Sequence, residues 1–216
     1  VSGVTARDIE TGKELEIYGR VVINATGVFV DDILKMDNPR AGDMVKPSQG
    51  VHLVVDRKFL PGDTAIMVPH TDDGRVLFAV PWQGKVVVGT TDTPVEKADL
   101  EPRALDEEVE FILNTAGQYL EKVPTEGDVL SVFAGLRPLA APPDGGTPTR
   151  EISRSHKVLV SPSGLVTLAG GKWTTYRKMG EDTINKAALV AGLEARPSAT
   201  ANLRIHGWLK HLDPHD

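Results

Sequence analysis

Short apolar, β-rich runs separated by polar turns recur over much of the first half of the chain, and two later stretches switch to a helical period. Val1 to Ala6 and Leu15 to Tyr18 flank the polar, glycine-containing turn Asp8 to Lys13, a pattern that predicts a β-hairpin. Val21 to Ile23 predict a third strand running into Asn24-Ala25-Thr26-Gly27, where small residues close a buried strand. The Asn24-Ala25-Thr26 sequon reads as buried backbone and not as a glycan site. Asp31 to Asp43 give a helical turn and a loop broken by Pro39 and Gly42. Four β-rich runs then succeed each other, Val51 to Asp56, Ala65 to His70, Val76 to Trp82 and Val86 to Thr91, linked by Pro61-Gly62, Asp73-Gly74 and Gln83-Gly84. Short strands joined by such turns predict an antiparallel sheet.

Leu105, Val109, Ile112, Leu113, Ala116 and Leu120 share one face of a helix expected over Leu105 to Val123, and Asp106, Glu107, Glu108 and Glu110 crowd its first turns. Without a paired histidine these acids read as a solvated helix face and not as a metal site. Val129 to Phe133 predict a further strand ending at Ala134 to Leu139, followed by an exposed Pro/Gly loop over Ala140 to Thr149. A hairpin over Pro162-Ser163-Gly164 joins His156 to Ser161 with Leu165 to Ala169. It delivers the chain to Gly170-Gly171 and to a helix expected to start near Thr174, with Tyr176, Met179, Thr183, Ile184, Ala187, Ala188 and Ala191 at helical spacing and Gly192 as its stop. A strand, two glycines and a helix N-terminus, with a partial charge of roughly half a unit, suit an anion or an electron-rich ring. The same sequence also makes an ordinary tight β–α connection.

Composition narrows the classes. A net charge of −6 over 216 residues argues against general nucleic-acid binding, and no apolar run approaches a membrane span. No cysteine is present, which removes disulfides, thiolate metal sites and cysteine nucleophiles. With no secretory signal the reading is a cytoplasmic protein. Val1 opens within a strand and without an initiator methionine, the mark of an excised piece.

Four cations stand near strand ends or turns: His52, Arg137, Arg154 and Lys172. Arg137, just before Pro138, either pairs with a buried acid or faces an anionic ligand. Arg154, like Arg150, flanks Glu151 and has a simple salt bridge as its alternative. His52 lies in the alternating run Gly50 to Val55, opposite in facing to Val51 and Leu53, and its imidazole suits a general base; a core histidine is the other reading. No Gly-x-Ser-x-Gly, His-Glu-x-x-His or P-loop pattern occurs, which disfavours hydrolases and kinases.

Taken together, Ser48 to Val55, Gly89 to Pro94, Ala134 to Leu139, Ser153 to His156 and Gly170 to Met179 resemble, in order, the motifs of FAD-dependent glycerol-3-phosphate dehydrogenases. The resemblance implies oxidation of glycerol 3-phosphate to dihydroxyacetone phosphate by hydride transfer to FAD, with quinone or oxygen as the final acceptor. It implies His52 as base, Arg137 and Arg154 as substrate contacts, and Gly170, Gly171, Lys172, Thr174 and Thr175 beside the flavin, with no metal. It also implies an α+β fold. Residues 46–155 form an antiparallel substrate-binding sheet with a helix cover, residues 1–45 and 156–195 belong to a glutathione-reductase-like FAD-binding domain, and residues 196–216 form a linker or the start of a C-terminal domain. Peripheral association with the inner membrane face and a homodimer of the parent enzyme follow from the same likeness. The family's Gly-x-Gly-x-x-Gly turn, which holds the FAD pyrophosphate, has no counterpart here, so the chain alone is expected not to retain FAD. Two other readings stand beside this one: a non-catalytic β-rich module binding phosphate or a partner, and a related flavin amine or amino-acid oxidase.

Overall fold

A computed structural model describes residues 1–69, 71, 74–141 and 155–208. The expected Pro/Gly loop, apart from Ala140 and Ala141, and Arg150, Glu151 and Arg154 lie outside the described residues.

The largest element is a six-stranded antiparallel sheet. Its strands are β4 (Val45–Asp56), β5 (Ile66–Val68), β6 (Leu77–Trp82), β7 (Lys85–Gly89), β8 (Thr93–Pro94) and β9 (Val129–Ala140). β4 lies at its centre, paired with β9 along its whole length and with β7 and then β8 on the other side. Because side chains alternate along a strand, one face collects Val51, Leu53 and Val55 with Val86, Val88, Leu77, Ala79 and Val68. Against this face packs the helix α2 (Asp106–Gly117) through Ile112 and Ala116. This is the main core; the opposite face of the sheet is open, with Phe78, Trp82 and Phe133 exposed on it.

β9 continues to Ala140, beyond the Phe133 limit expected from sequence. Pro138 does not stop it because it stands opposite Pro47. Two prolines facing each other fit a position where neither strand needs to donate an N–H, and every second pair of an antiparallel ladder is of that kind. α2 ends at Gly117, earlier than the expected Val123, and Leu120 still reaches the core.

Flanking segments build the second layer. β1 (Gly3–Arg7) and β2 (Glu14–Tyr18) form the expected hairpin, and β10 (His156–Val160) and β11 (Val166–Gly170) form another. β11 also pairs in parallel with β3 (Ile23–Asn24), Val166 opposite Ile23, so segments 143 residues apart in sequence share one sheet. Leu165 and Ala169 pack there with Val30 and Leu34 of α1 (Val30–Asp37) and with Val45. Asn24 is buried, its Nδ2 donating to the Val30 carbonyl at 3.0 Å and its Oδ1 accepting from Thr26 at 2.8 Å. The sequon is thus a structural corner, as its setting predicted. A 3₁₀ turn over Trp173–Thr175 precedes α3 (Tyr176–Val190), so the regular helix starts two residues later than expected. Thr183 and Ala187 face the protein, whereas Ile184, given to the buried stripe by its spacing, is exposed.

Candidate active site

The open face of the six-stranded sheet carries Ser48, Gly50 and His52 from β4. The register puts Arg137, Gly135 and Phe133 of β9 directly beside them, and Gly89 of β7 beside His52. Residues opposite each other in an antiparallel pair point to the same side, so His52 and Arg137 share one face. Two glycines make room for their side chains. A methyl group at Gly50 would stand 2.1 Å from Nη2 and 2.5 Å from Cζ of Arg137, and one at Gly89 would stand 2.5 Å from Cδ2 of His52. Arg137 therefore crosses the central strand over Gly50 and reaches the segment between β7 and β8, where Nη2 donates to Thr90 Oγ1 at 2.8 Å. Its Nη1 lies 3.6 Å from Asp92 Oδ1.

Asp92 was not singled out from sequence, although it stands inside one of the motifs quoted above. Its carboxylate accepts from Ser48 Oγ, and its side chain is only 11% exposed. Of the two alternatives for Arg137, the structure contains the sheltered acid, and the residue lies on the open face of the sheet.

His52 stacks on Phe133, with ring centroids 5.1 Å apart and planes 9° from parallel. Burial, followed by the charge of Arg137, pushes its pKa below the ordinary imidazole value. Both effects favour the uncharged ring, the form that keeps a lone pair with which to take a proton.

The reverse side of the same segment explains the spacing Thr90-Thr91-Asp92-Thr93. Thr90 and Asp92 turn to the open face and Arg137, while Thr91 and Thr93 turn inward and donate to Glu108 Oε1 at 2.8 and 2.6 Å. Gln49 Nε2 and the Leu105 N–H complete the set on Glu108 Oε2 at 2.7 and 3.0 Å. Glu108 is 4% exposed, which corrects the reading of the α2 acids as a solvated face at this one position, while Asp106, Glu107 and Glu110 are exposed as expected. Burial opposes its ionisation, and four donors outweigh burial and hold its carboxyl below the usual range. A helical-period signal for this was present, since Glu108 precedes Ile112 by four residues and Thr115 by seven, both buried.

β9 leads from Arg137 to the glycine turn. Three residues on, about 10 Å of strand, Ala140 meets Gly170. Gly170 and Gly171 have φ of +75° and +91°, which only glycine adopts readily. The side where a methyl group would stand is filled by protein: the Ser155 carbonyl and Ala140 Cβ at Gly170, and the Met179 thioether at Gly171. Lys172, Thr174 and Thr175 follow, all exposed, at the entry to a 15-residue helix whose first turn carries no acid. That end is electropositive and open to an anionic group.

Among the described residues no cluster of acidic and imidazole side chains fit to hold a metal occurs, and no helix is long and apolar enough to cross a membrane. Comparison with known proteins now adds the family. The human "Glycerol-3-phosphate dehydrogenase, mitochondrial" is 44% identical over 96% of this chain, which spans 28% of that protein. The glycerol-3-phosphate dehydrogenase of Bacillus halodurans, solved with FAD, superposes with a TM-score of 0.76 at 38% identity, covering 91% of this chain and 37% of its own. A glycine oxidase from Geobacillus kaustophilus shares the fold alone, with a TM-score of 0.55 at 19% identity. The family described as FAD dependent oxidoreductase matches residues 1–177, and the chain belongs to it.

Proposed function

We propose that this chain forms the substrate-binding sheet and the adjoining strands of an enzyme that oxidises glycerol 3-phosphate to dihydroxyacetone phosphate with FAD. The observation that carries the proposal is the pair formed by His52 and an Arg137 held over Gly50, on the open face of one sheet and one short strand run from the glycine turn. Names of the human and Bacillus relatives point to the same substrate.

The residues fit the cofactor. Gly170, Gly171 and Lys172 lead into an acid-free helix end, and the N–H groups around Thr174 and Thr175 would stabilise negative charge on a flavin ring. FAD, when bound, supplies the acceptor for the hydride. His52 takes the proton of the C2 hydroxyl while the C2 hydrogen leaves with its electron pair, and a C2 carbonyl results. Arg137 stabilises the alkoxide that develops on the way, and Arg154 grips the phosphate as a bidentate cation. In this reading residues 1–45 and 156–195 are parts of the FAD-binding domain, 46–155 the substrate domain, and 196–216 a linker or the start of a further domain. Electrons pass on to quinone or oxygen, and the parent enzyme works as a dimer at the inner membrane face. The TM-scores of the amine oxidases, obtained below 20% identity, support the fold and leave the substrate to Arg137 and Arg154.

Steady-state kinetics in the full-length, flavin-loaded enzyme test this. Arg137→Ala is expected to lower kcat/KM by about 10²-fold or more, and Arg154→Ala to raise KM with little change in kcat, because the phosphate is the same in ground and transition states. Turnover of Arg137→Ala near that of the wild type would exclude the mechanism.

A further inference from the structure

We infer that Asp92 is a positioning residue for Arg137: its carboxylate sets where the guanidinium stands on the open face, and so the direction in which that cation meets a bound alkoxide. The inference rests on the function proposed above and extends it to a residue outside the substrate contacts.

Arg137 comes from an edge strand, and its head has to be held on the far side of β4. Gly50 provides the path, since any side chain there would occupy the place of the guanidinium. At the end of the path stand two anchors two residues apart, Thr90 and Asp92, both turned toward Arg137. Thr90 Oγ1 accepts from Nη2 at 2.8 Å and itself donates to the Thr91 carbonyl at 3.2 Å, which fixes the orientation of the hydroxyl. Asp92 supplies the charge beside Nη1 at 3.6 Å. The carboxylate is in turn held by Ser48 Oγ, on the strand that Arg137 crosses, so it cannot swing after the guanidinium without losing that bond. A sheltered ion pair of this kind adds little net stability, because desolvation offsets most of its attraction. It does restrict a long side chain to one arrangement, and a misplacement of about 1 Å in a catalytic group costs on the order of 10²-fold in rate.

The test uses the full-length flavin-loaded enzyme. Asp92→Asn keeps the shape and removes the charge; it is expected to lower kcat by about 10²-fold with KM changed by less than about threefold, and Asp92→Glu to recover part of the loss. A readout specific to positioning comes from chemical rescue. In Arg137→Ala, added guanidinium ion is expected to occupy the vacated place between Thr90 and Asp92 and to raise turnover about tenfold in a saturable manner, the scale of one charge-assisted contact. In Arg137→Ala/Asp92→Asn the same ion is expected to give no rescue. Melting curves accompany each variant. If Asp92→Asn does not fold, Ser48→Ala, which removes only the donor that fixes the carboxylate, takes its place in the comparison, with weaker rescue expected. Equal rescue with and without Asp92, or full kcat in Asp92→Asn, would overturn the inference while leaving a slow Arg137→Ala as support for the proposed function. Wild-type turnover in Arg137→Ala would overturn both.

Discussion

Gly50→Ala is the smallest change that separates the site from the fold. Gly50 lies in β4 with ordinary extended backbone, and nothing in its φ requires glycine. The added methyl group would stand 2.1, 2.5 and 2.7 Å from Nη2, Cζ and Nη1 of Arg137, its three nearest atoms. Ordinary contact begins near 3.4 Å, so the guanidinium has to move by more than an ångström from its place beside Thr90 and Asp92. It is the far end of a flexible side chain and moves without disturbing the strand. A displacement of about 1 Å in a catalytic group costs on the order of 10²-fold, close to 3 kcal/mol in kcat/KM. The backbone effect has the opposite sign, since alanine stiffens the unfolded chain and stabilises by about 0.5 kcal/mol. The assay is kcat/KM for glycerol 3-phosphate in the full-length enzyme beside a thermal melt. A large kinetic loss with an unchanged or slightly raised Tm is expected. Wild-type kinetics would mean that the position of Arg137 over Gly50 has no part in catalysis, and a fall in both would mean that Gly50 serves packing.

Gly89→Ala should behave differently, because its methyl group would also stand 2.8 Å from the Val51 carbonyl, which cannot swing aside; a loss of about 1–3 kcal/mol by urea denaturation is expected along with the kinetic defect. The acid limb of the kcat/KM profile should fall with an apparent pKa below that of free imidazole, since burial and then Arg137 disfavour protonated His52. The same sign makes the fold lose stability as pH drops from the ordinary imidazole value through the folded one, and an acid limb at or above the free value would contradict the assignment of His52 as base. Glu108→Ala strands the donors of Gln49, Thr91, Thr93 and Leu105 and should destabilise by about 3 kcal/mol or more in the same denaturation assay. Because the Glu108 carboxyl is held below its usual range, the contribution is complete above the ordinary glutamate value and is lost as pH falls through the folded value, a drop that Glu108→Ala should lack. The 216-residue chain purified alone should be colourless after incubation with FAD and gel filtration, for want of a Gly-x-Gly-x-x-Gly turn to hold the pyrophosphate.

Much of this was legible in the sequence where the determinants are local. Alternation over Val51 to Val55 fixes which side of β4 is core, and thereby turns His52 to the other side. Turn residues at Asp8 to Lys13 and Pro162 to Gly164 mark hairpins that the structure contains. Determinants that depend on register stayed hidden. Asp92 meets Ser48 across 44 residues and Arg137 across a whole strand, and no spacing rule encodes which acid an arginine will reach over a glycine. Continuation of β9 through Pro138 depended on Pro47, 91 residues earlier, standing opposite it. Glu108 is the instructive case, because its helical phase puts it with Ile112 and Thr115, yet its neighbours Asp106, Glu107 and Glu110 made the whole run look solvated. Composition of a segment and phase of a residue gave different answers, and phase was right.

The central claim is that glycerol 3-phosphate is oxidised on the face that carries His52 and Arg137. Anaerobic mixing of the full-length, flavin-loaded enzyme with glycerol 3-phosphate measures this in a single turnover, as bleaching of the visible flavin absorbance. Glycine, as a representative amine substrate, serves as the comparison. The account predicts rapid bleaching by glycerol 3-phosphate, none by glycine, and bleaching slowed by about 10²-fold or more in Arg137→Ala. Bleaching by glycine, or an Arg137→Ala enzyme reduced by glycerol 3-phosphate as fast as the wild type, would contradict it.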